Sequence, residues 1–258
     1  FKNNDSIIPY KGEIYYLHQR FTRLLYKLLL QDSRFMLCHN SNIGSFYYRE
    51  WFGKNFPIET NMPILYNGFD LPIPKHAPEK EINSYTVGGI FRFKDVKRPF
   101  LWIDSALKLI KKLDNVNFII LGDGPLLNSC KNYIKKTGHG DKFQLIGFTD
   151  DVHIWLQNFD LLLLTSSVEG LPNVLIEAQA MGIPVVSTNA GGAKETFIND
   201  VSGILLTEDN PTFIASTLHK ILINPEWRLE AGSAAIKWSQ DNFHIDVMHK
   251  KLEELYGV

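Results

Sequence analysis

The 258-residue sequence has little cysteine, no long apolar run and almost no net charge, and each shortage argues against a class of protein. Its two cysteines, Cys38 and Cys130, lie far apart without metal-ligand spacing, so we expect two buried, reduced thiols in a cytoplasmic protein. No apolar stretch approaches bilayer-spanning length. A formal net charge of −1 gives a general nucleic-acid-binding role no electrostatic support. The remaining composition, 45% apolar and 21% charged, is typical of a globular protein with a real core.

Motifs for metal binding are also missing from the sequence. The eight histidines form no His-x3-His or His-Glu-x2-His pair, and no Asp-x-Asp motif occurs. A zinc site built by the protein is therefore not expected. We expect neither a metal nor a cofactor.

From about Ser84 onward, strand-like and helix-like segments alternate. The predicted strands are Tyr85–Phe91, Val116–Leu121, Phe143–Ile146, Leu161–Thr165, Val185–Thr188 and Ile204–Leu206. The predicted helices are Lys97–Leu113, Leu126–Lys136, Val152–Asn158, Asn173–Met181 and Pro211–Ile223, followed by Glu226–Gln240 and Ile245–Tyr256. Such alternation predicts an α/β fold with a doubly wound, Rossmann-like parallel sheet that helices cover on both faces.

The residues before Ser84 follow a less regular pattern. It predicts helices over Tyr15–Gln31 and Asn42–Phe52, and short strands over Arg34–Cys38 and Met62–Tyr66. The second of these strands ends at a turn, Asn67-Gly68, and a proline-rich stretch, typical of a linker, follows it. The aromatic and basic residues between Tyr10 and Trp51 favour the core-facing side of helices over contact with an anionic membrane surface, which is the minor alternative.

A buried strand, a loop and a helix meet in the second half of the chain. The apolar run Leu161 to Leu164 predicts the strand, Pro172 marks the start of the helix, and Gly182 marks its end. Free backbone N–H groups at such a helix start bind anions. Glu169 on the loop and Glu177 on the helix suit the neutral hydroxyls of a ligand that also carries phosphate, such as a sugar nucleotide.

The segment from Glu169 to Glu195, EGLPNVLIEAQAMGIPVVSTNAGGAKE, resembles the E-x7-E signature of family 4 retaining glycosyltransferases, the glycosyltransferase group 1. The resemblance extends from about Asn61 to the C-terminus. It implies the GT-B architecture of two Rossmann-like domains and a nucleotide-sugar donor. The alternative is a generic doubly wound domain in which both glutamates are solvated surface acids.

The resemblance also implies a domain plan. Residues 1–70 would be the last portion of an incomplete N-terminal, acceptor-side domain, 71–83 a linker, 84–240 the donor-binding domain and 241–258 a C-terminal helix. The first residue is Phe1. We therefore expect either a truncated chain or one that a partner chain completes.

A basic segment, Gly88 to Arg98, follows the first strand of the predicted sheet. By the resemblance, Arg92 and Lys97 clamp the donor diphosphate, and two fixed cations would stabilise it as its charge grows on departure. Cations at a helix start oppose the helix dipole, which favours an anionic guest. Lys94 and Arg98 are less favoured, because side chains with that spacing face away.

The resemblance assigns the remaining roles. Glu169 lies near the donor sugar and completes a catalytic set with Arg92 and Lys97, while Glu177 accepts hydrogen bonds from the ribose hydroxyls. The other donor-binding residues would be Gly89, Gly147, Phe148, Gly170, Leu171, Pro172, Asn173 and Val174.

For two loops, a purely structural role as a turn is the alternative to donor binding. The stretch 147–150 would lie against the nucleobase, or be a plain turn with Thr149 or Asp150 as helix N-cap. Gly191-Gly192 predicts first a tight turn and second a support for the donor pocket.

We therefore expect a glycosyltransferase that moves a sugar from a nucleoside-diphosphate sugar, with a UDP-sugar favoured, to an acceptor hydroxyl with retention and without metal. The acceptor would be a saccharide or lipid-linked saccharide in surface polysaccharide or glycolipid synthesis, in the cytoplasm or at the inner face of the membrane. One alternative is a non-catalytic nucleotide-sugar-binding subunit that needs a partner, and another is a hydrolase or epimerase of sugar nucleotides. A nicotinamide dehydrogenase is disfavoured, because Gly88-Gly89 does not continue into a Gly-x-Gly-x-x-Gly spacing.

Overall fold

The computed structural model describes residues 36–46, 63–70 and 84–257, together with Leu24, Leu25 and Leu28. The chain divides into two compact units, Phe1–Leu65 and Tyr66–Val258. In the first unit, the three leucines and residues 42–46 are helical and lie within the two helices predicted there. The rest of those helices, and most of the aromatic and basic region from Tyr10 to Trp51, lie outside the described residues.

Among the described residues of the two short strands predicted here, the pairing is a single bridge, which joins Ile64 to His39, the residue after Cys38. His39 pairs in parallel with Ile64, and its amide donates to the carbonyl of Pro63 at 3.1 Å. The described residues on either side of the bridge form no ladder. A run of four or five apolar residues predicts extended backbone, but it cannot show how many of those residues find a pairing partner.

The predicted burial of both cysteines is correct for only one of them. Cys130 is fully buried, and this burial raises the pKa of its thiol to about 11. Cys38 is exposed, whereas the next residue, His39, is buried. Successive side chains of extended backbone point in opposite directions, so the segment can bury only one of this pair.

A six-stranded, wholly parallel sheet forms the centre of the second unit, with the order β3-β2-β1-β4-β5-β6. The strands are β1 (Tyr85–Ile90), β2 (Val116–Leu121), β3 (Phe143–Gly147), β4 (Leu161–Leu164), β5 (Val185–Thr188) and β6 (Gly203–Leu206). All four residues of β4 are buried, as a strand covered on both faces requires. The predicted α/β class and the predicted doubly wound parallel sheet are confirmed.

Helices connect these strands and cover the sheet. They are α1 (Pro99–Ile110), α2 (Leu127–Lys136), α3 (Val152–Leu156), α4 (Asn173–Ala180), α5 (Pro211–Leu222), α6 (Pro225–Phe243) and α7 (Ile245–Tyr256). Among the described residues, no helix combines the length and the apolarity needed to cross a bilayer.

The first helix differs from its prediction over Lys97–Leu113. A separate 3₁₀ turn, Asp95–Lys97, comes first, and α1 begins at Pro99. Arg98 lies between them in the left-handed conformation, with φ 50°, and so interrupts the helical path. Lys97 therefore belongs to a loop-like turn rather than to the helix.

The segment from Tyr66 to Asp70 packs within the second unit. The ring of Tyr66 lies 5.2 Å from that of Phe243, and the amide of Phe69 donates to the carbonyl of Phe243 at 2.8 Å. The compact division therefore falls between Leu65 and Tyr66. The domain plan of the sequence, with its linker at residues 71–83, stays a prediction.

Two glycines of β1 let large aromatic side chains approach the sheet from both faces. A Cβ on Gly88 would lie 2.0 Å from the ring of Phe159, and one on Gly89 would lie 2.9 Å from Trp102. Phe159 and Trp102 belong to the two apolar clusters that cover opposite faces of the sheet. The glycine pair of β1 thus has a packing function.

The order of the strands reverses between β1 and β4. β1 pairs with β2 on one side and with β4 on the other. The chain therefore continues from β1 toward one edge of the sheet and from β4 toward the opposite edge. Their carboxyl ends lie side by side, and in doubly wound sheets such a reversal opens a ligand-binding crevice. The loop after β1 carries Arg92 and Lys97, and the loop after β4 carries Glu169.

Replacing Gly88 tests this packing. Gly88→Ala should lower the free energy of unfolding by about 1–3 kcal/mol, because the added methyl group overpacks the core against Phe159. Gly140→Ala is the control, since its Cβ would meet nothing within 4 Å, and we expect a change within about 0.5 kcal/mol. Urea unfolding measures both variants, and equal midpoints would contradict the packing.

Candidate active site

Lys97 and Glu169 face each other across the crevice between β1 and β4. The Nζ atom of Lys97 lies 2.5 Å from Oε1 of Glu169, and their side chains are only 24% and 10% exposed. The structure thus brings together two of the three residues predicted to be catalytic. An anion that enters the crevice would compete with Glu169 for the Lys97 ammonium.

Arg92 comes soon after β1, in the same loop as Lys97. Its side chain is exposed, and its guanidinium makes no ion pair with the residues that the structure describes. Arg92 is therefore a cation at the edge of the crevice that remains available to a ligand.

The start of α4 supplies backbone donors to the same crevice. Pro172 is the N-cap residue, and no side chain caps the helix. Without such a cap, the first amides of a helix are donors for water or a ligand. Leu171 and Pro172 are buried, whereas Asn173 is exposed and its Oδ1 accepts from Nδ2 of Asn67 at 3.2 Å.

Glu177 lies about one turn into α4 and is half-buried. Loss of solvation raises the pKa of its carboxyl above the ordinary value, and the nearby charge of His153 partly opposes this rise. No residue that the structure describes gives the carboxylate a hydrogen bond. An acceptor that has been desolvated without a partner is suited to donors from a ligand.

The loop after β3 lies next to the loop after β2. Gly147 adopts φ 86°, and its carbonyl accepts from the amide of Gly122 at 2.7 Å. The next residue, Phe148, has 75% of its surface exposed, which leaves an aromatic face uncovered at the carboxyl end of β3. The N-cap of α3 is neither Thr149 nor Asp150, as the turn alternative has it, but Asp151, whose amide donates to Oγ1 of Thr149 at 3.1 Å.

Three glycines near the crevice differ in what surrounds them. Gly191 has φ 54°, and a Cβ on it would lie 2.1 Å from the carbonyl oxygen of Glu169. A Cβ on Gly170 would meet nothing within 4 Å. Gly89 is buried beneath Trp102, so of the three it is the one enclosed by the core. Gly191 thus supports the main chain that carries Glu169.

A set of contacts that the sequence pattern does not reveal binds the loop after β1 to the loop after β4. The amide of Ser167 donates to the carbonyl of Val96 at 2.8 Å, and Oγ1 of Thr165 donates to the carbonyl of Lys97 at 3.0 Å. The guanidinium of Arg98 donates to the carbonyls of Thr165 and Ser166. A sequence pattern cannot reveal contacts that depend on the register of two loops about seventy residues apart.

No group of three or more His, Cys, Asp or Glu side chains able to hold a metal ion occurs within the described part of the chain.

Residues 74–238 match the family model described as glycosyl transferases group 1. The chain is 36% identical over 186 residues to the Vi polysaccharide biosynthesis protein VipC/TviE of Salmonella typhi, covering 66% of this chain and 31% of that protein. It is 28% identical over 201 residues to 2-deoxystreptamine N-acetyl-D-glucosaminyltransferase of Niallia circulans, covering 77% and 47%. The chain thus spans less than half the length of either relative.

Two solved structures resemble the fold. Staphylococcus aureus TarM, in complex with fondaparinux, α-GlcNAc-glycerol and UDP, superposes with a TM-score of 0.79 at 21% identity, over 93% of this chain and 47% of TarM. Anabaena HepE, in complex with UDP and glucose, gives a TM-score of 0.75 at 21% identity, over 93% and 68%. Both neighbours are GT-B glycosyltransferases, which confirms the predicted GT-B type of fold.

Gly191→Ala should displace Glu169. The new methyl group would overlap the carbonyl of Glu169, and the positive φ adds strain, so we expect the free energy of unfolding to fall by about 1–3 kcal/mol. Gly170→Ala, one residue after Glu169, is the matched control and should change it by less than about 0.5 kcal/mol. Chemical unfolding without ligand compares them, and an unaltered Gly191→Ala protein would refute this role of the glycine.

Glu177→Gln should stabilise the ligand-free protein in a pH-dependent way. Because the pKa of Glu177 is raised in the folded state, the folded protein holds this proton more tightly than the unfolded chain. The wild type therefore loses stability as the pH rises from the unfolded value, about 4.3, through the raised folded pKa. Glutamine resembles the protonated acid, so its advantage should be small near pH 4 and larger at pH 8.

Thermal unfolding at several pH values measures this difference. Glu230→Gln, at an exposed position of α6, makes the same substitution on the surface and is the control. A pH-dependent gain for Glu177→Gln no larger than that for Glu230→Gln would show that the Glu177 carboxylate is not desolvated.

Proposed function

Because the chain belongs to the family of group 1 glycosyl transferases, we propose that it binds a nucleoside-diphosphate sugar and takes part in transfer of the sugar to an acceptor hydroxyl. The observation that carries this proposal is the pairing of Lys97 with Glu169 where the strand order reverses, beside the uncapped start of α4. Cations, free amides and a desolvated carboxylate at one sheet edge match the phosphates and hydroxyls of such a donor.

The diphosphate would lie between the loop after β1 and the start of α4. Arg92 is available to an anion, and Lys97 would exchange Glu169 for a phosphate oxygen or share its ammonium between the two. The amides of Leu171, Asn173 and Val174 would add neutral donors. These groups stabilise the leaving diphosphate more than the bound donor, because its negative charge grows as the glycosidic bond breaks.

Glu177 would accept hydrogen bonds from the two ribose hydroxyls. A carboxylate has two acceptor oxygens and can receive both. The cost of its desolvation in the free protein is then offset when the ligand supplies donors. Phe148 and the main chain at Gly147 would lie against the nucleobase, and UDP is the favoured diphosphate, since TarM and HepE are both seen with UDP.

We propose that transfer retains the anomeric configuration and needs no metal. The bond from the anomeric carbon to the diphosphate oxygen breaks, and the acceptor oxygen bonds to the same face of that carbon. The acceptor proton passes to the departing phosphate oxygen, so charge balances without a covalent intermediate. Glu169, freed from Lys97 by the diphosphate, would meet the hydroxyls of the donor sugar.

We also propose a chemical class for the acceptor. The Salmonella relative is named for polysaccharide biosynthesis, and we propose a saccharide or lipid-linked saccharide of surface polysaccharide synthesis here. The chain spans less than half of that relative, and this observation keeps a second candidate, a donor-binding subunit that needs another chain to bind acceptor.

A thermal-shift panel tests donor binding. UDP, GDP, ADP and their sugar conjugates should include one diphosphate that stabilises the protein, by about 2.7 kcal/mol at a hundred times its dissociation constant. Arg92→Ala, Lys97→Ala and Glu177→Ala should each remove most of that shift. The matched control Glu230→Ala should keep it, and the shift should persist in EDTA.

A flat response of the wild type to every nucleotide would reject the proposal. If a diphosphate binds, incubation of its sugar conjugate with and without saccharide acceptors separates the remaining candidates. Transfer with retention, seen by NMR of the product, supports the enzyme, whereas binding without transfer supports the subunit. Free sugar released without acceptor would indicate a hydrolase.

A further inference from the structure

We propose that Arg98 is a positioning residue of this site: its guanidinium fixes the loop after β4 and so sets where Glu169 stands against Lys97. The inference rests on the proposed function, because it concerns the residues assigned there to the diphosphate and the sugar. Arg98 itself would not touch the donor.

The backbone of Arg98 is the first observation. Its φ of 50° and ψ of 55° lie in the left-handed region, which costs a residue other than glycine about 1–2 kcal/mol. Glycine would adopt this conformation at little steric cost. An arginine that keeps such a conformation needs compensating contacts, and here its side chain supplies them.

The guanidinium of Arg98 binds the main chain just after β4. Its Nε donates to the carbonyl of Thr165 at 2.6 Å, and NH2 donates to that of Ser166 at 2.9 Å. These are the first two residues after β4, and Glu169 follows three residues later. A planar fork that binds two successive carbonyls fixes both the position and the direction of the chain.

An acid balances the remaining charge of Arg98. NH1 lies 2.6 Å from Oδ2 of Asp209, a residue in the loop after β6. Three donors are thus engaged within the protein, unlike those of Arg92. The guanidinium is therefore occupied with structure rather than available to a phosphate.

Further contacts return from the β4 loop to the β1 loop. Oγ1 of Thr165 donates to the carbonyls of Lys97 and Arg98, at 3.0 and 3.3 Å. Oγ1 of Thr188, at the end of β5, donates to the carbonyl of Ser166 at 2.6 Å. The loop after β4 is therefore held from both neighbouring strand ends.

The side chain of Ser166 shows how firmly this carbonyl position is determined. Ser166 is fully buried, and its hydroxyl has no hydrogen-bond partner among the described residues. A buried hydroxyl without a partner carries a free-energy cost. The loop keeps this path although it leaves the hydroxyl without a partner, and the bonds from Arg98 and Thr188 to the carbonyl of Ser166 hold it there.

A ligand-free double-mutant cycle tests the inference. Lys97→Ala and Glu169→Gln should shift the unfolding temperature non-additively in the wild type, because the two side chains interact. In an Arg98→Gly background, which keeps the left-handed backbone favourable but removes the guanidinium, the two shifts should become additive. Persisting non-additivity would overturn the inference, whether or not any nucleotide binds.

UDP titration gives a second measurement. Arg98→Gly should weaken UDP binding by at least about tenfold, because Lys97 and Glu169 lose their fixed geometry. In a Lys97→Ala background, Arg98→Gly should cause little further loss. Losses that multiply would instead show that Arg98 acts independently of Lys97 and would overturn the inference, and so would an unchanged affinity. If the wild type binds no UDP, the proposed donor is wrong, and the ligand-free cycle still decides the role of Arg98.

Arg228 offers a matched control at another place in the fold. Its NH1 likewise donates to main-chain carbonyls, those of Ile221 and Leu222, the last two residues of α5. Arg228→Lys should alter the unfolding temperature but neither the cycle nor UDP affinity. Arg98→Lys, which keeps the charge without the fork, should give intermediate values, and it serves in place of Arg98→Gly if that variant does not fold.

Discussion

The reversal of strand order between β1 and β4 is the constraint on which the candidate site depends. It places two loops that are about seventy residues apart in the sequence at neighbouring strand ends, and it lets Lys97 meet Glu169. The sheet alone fixes only the ends of the strands. Beyond the strand ends, the hydrogen bonds of Val96, Arg98 and Thr165 hold the two loops together and so position the charged side chains.

The charges of the crevice are balanced unevenly in the free protein. Lys97 is neutralised by Glu169, and Arg98 by Asp209, whereas the carboxylate of Glu177 is desolvated and lacks a hydrogen-bond donor within the described structure. A binding site commonly retains such unfavourable groups, because the ligand replaces the solvation that folding removed. In our proposal, the ribose hydroxyls donate hydrogen bonds to Glu177, and the diphosphate binds the cations Arg92 and Lys97.

The fold of the second unit could be predicted from sequence because its elements are long and strongly periodic. Saturated apolar runs such as Leu161–Leu164 mark strands buried on both faces, and Pro and Gly mark the helix ends. The candidate site was less predictable. The family resemblance selects Lys97 and Glu169, whereas the spacing of Arg98 predicts a side chain that faces away. Its left-handed backbone directs that side chain instead to the carbonyls of Thr165 and Ser166. The exposure of Cys38 could not be predicted for a similar reason, since it depends on which side of an extended segment is covered.

The contacts around the crevice also bear on how donor binding and acceptor binding divide between parts of the protein. Every residue assigned to the donor, from Gly89 to Glu177, lies in the unit Tyr66–Val258, and so do the residues that fix Lys97 and Glu169. In our proposal, donor recognition is a property of this unit, and hydrogen bonds within the unit set its geometry. The acceptor must approach the anomeric carbon from outside these contacts. In our proposal, an acceptor therefore reaches the anomeric carbon without disturbing the Lys97–Glu169 geometry.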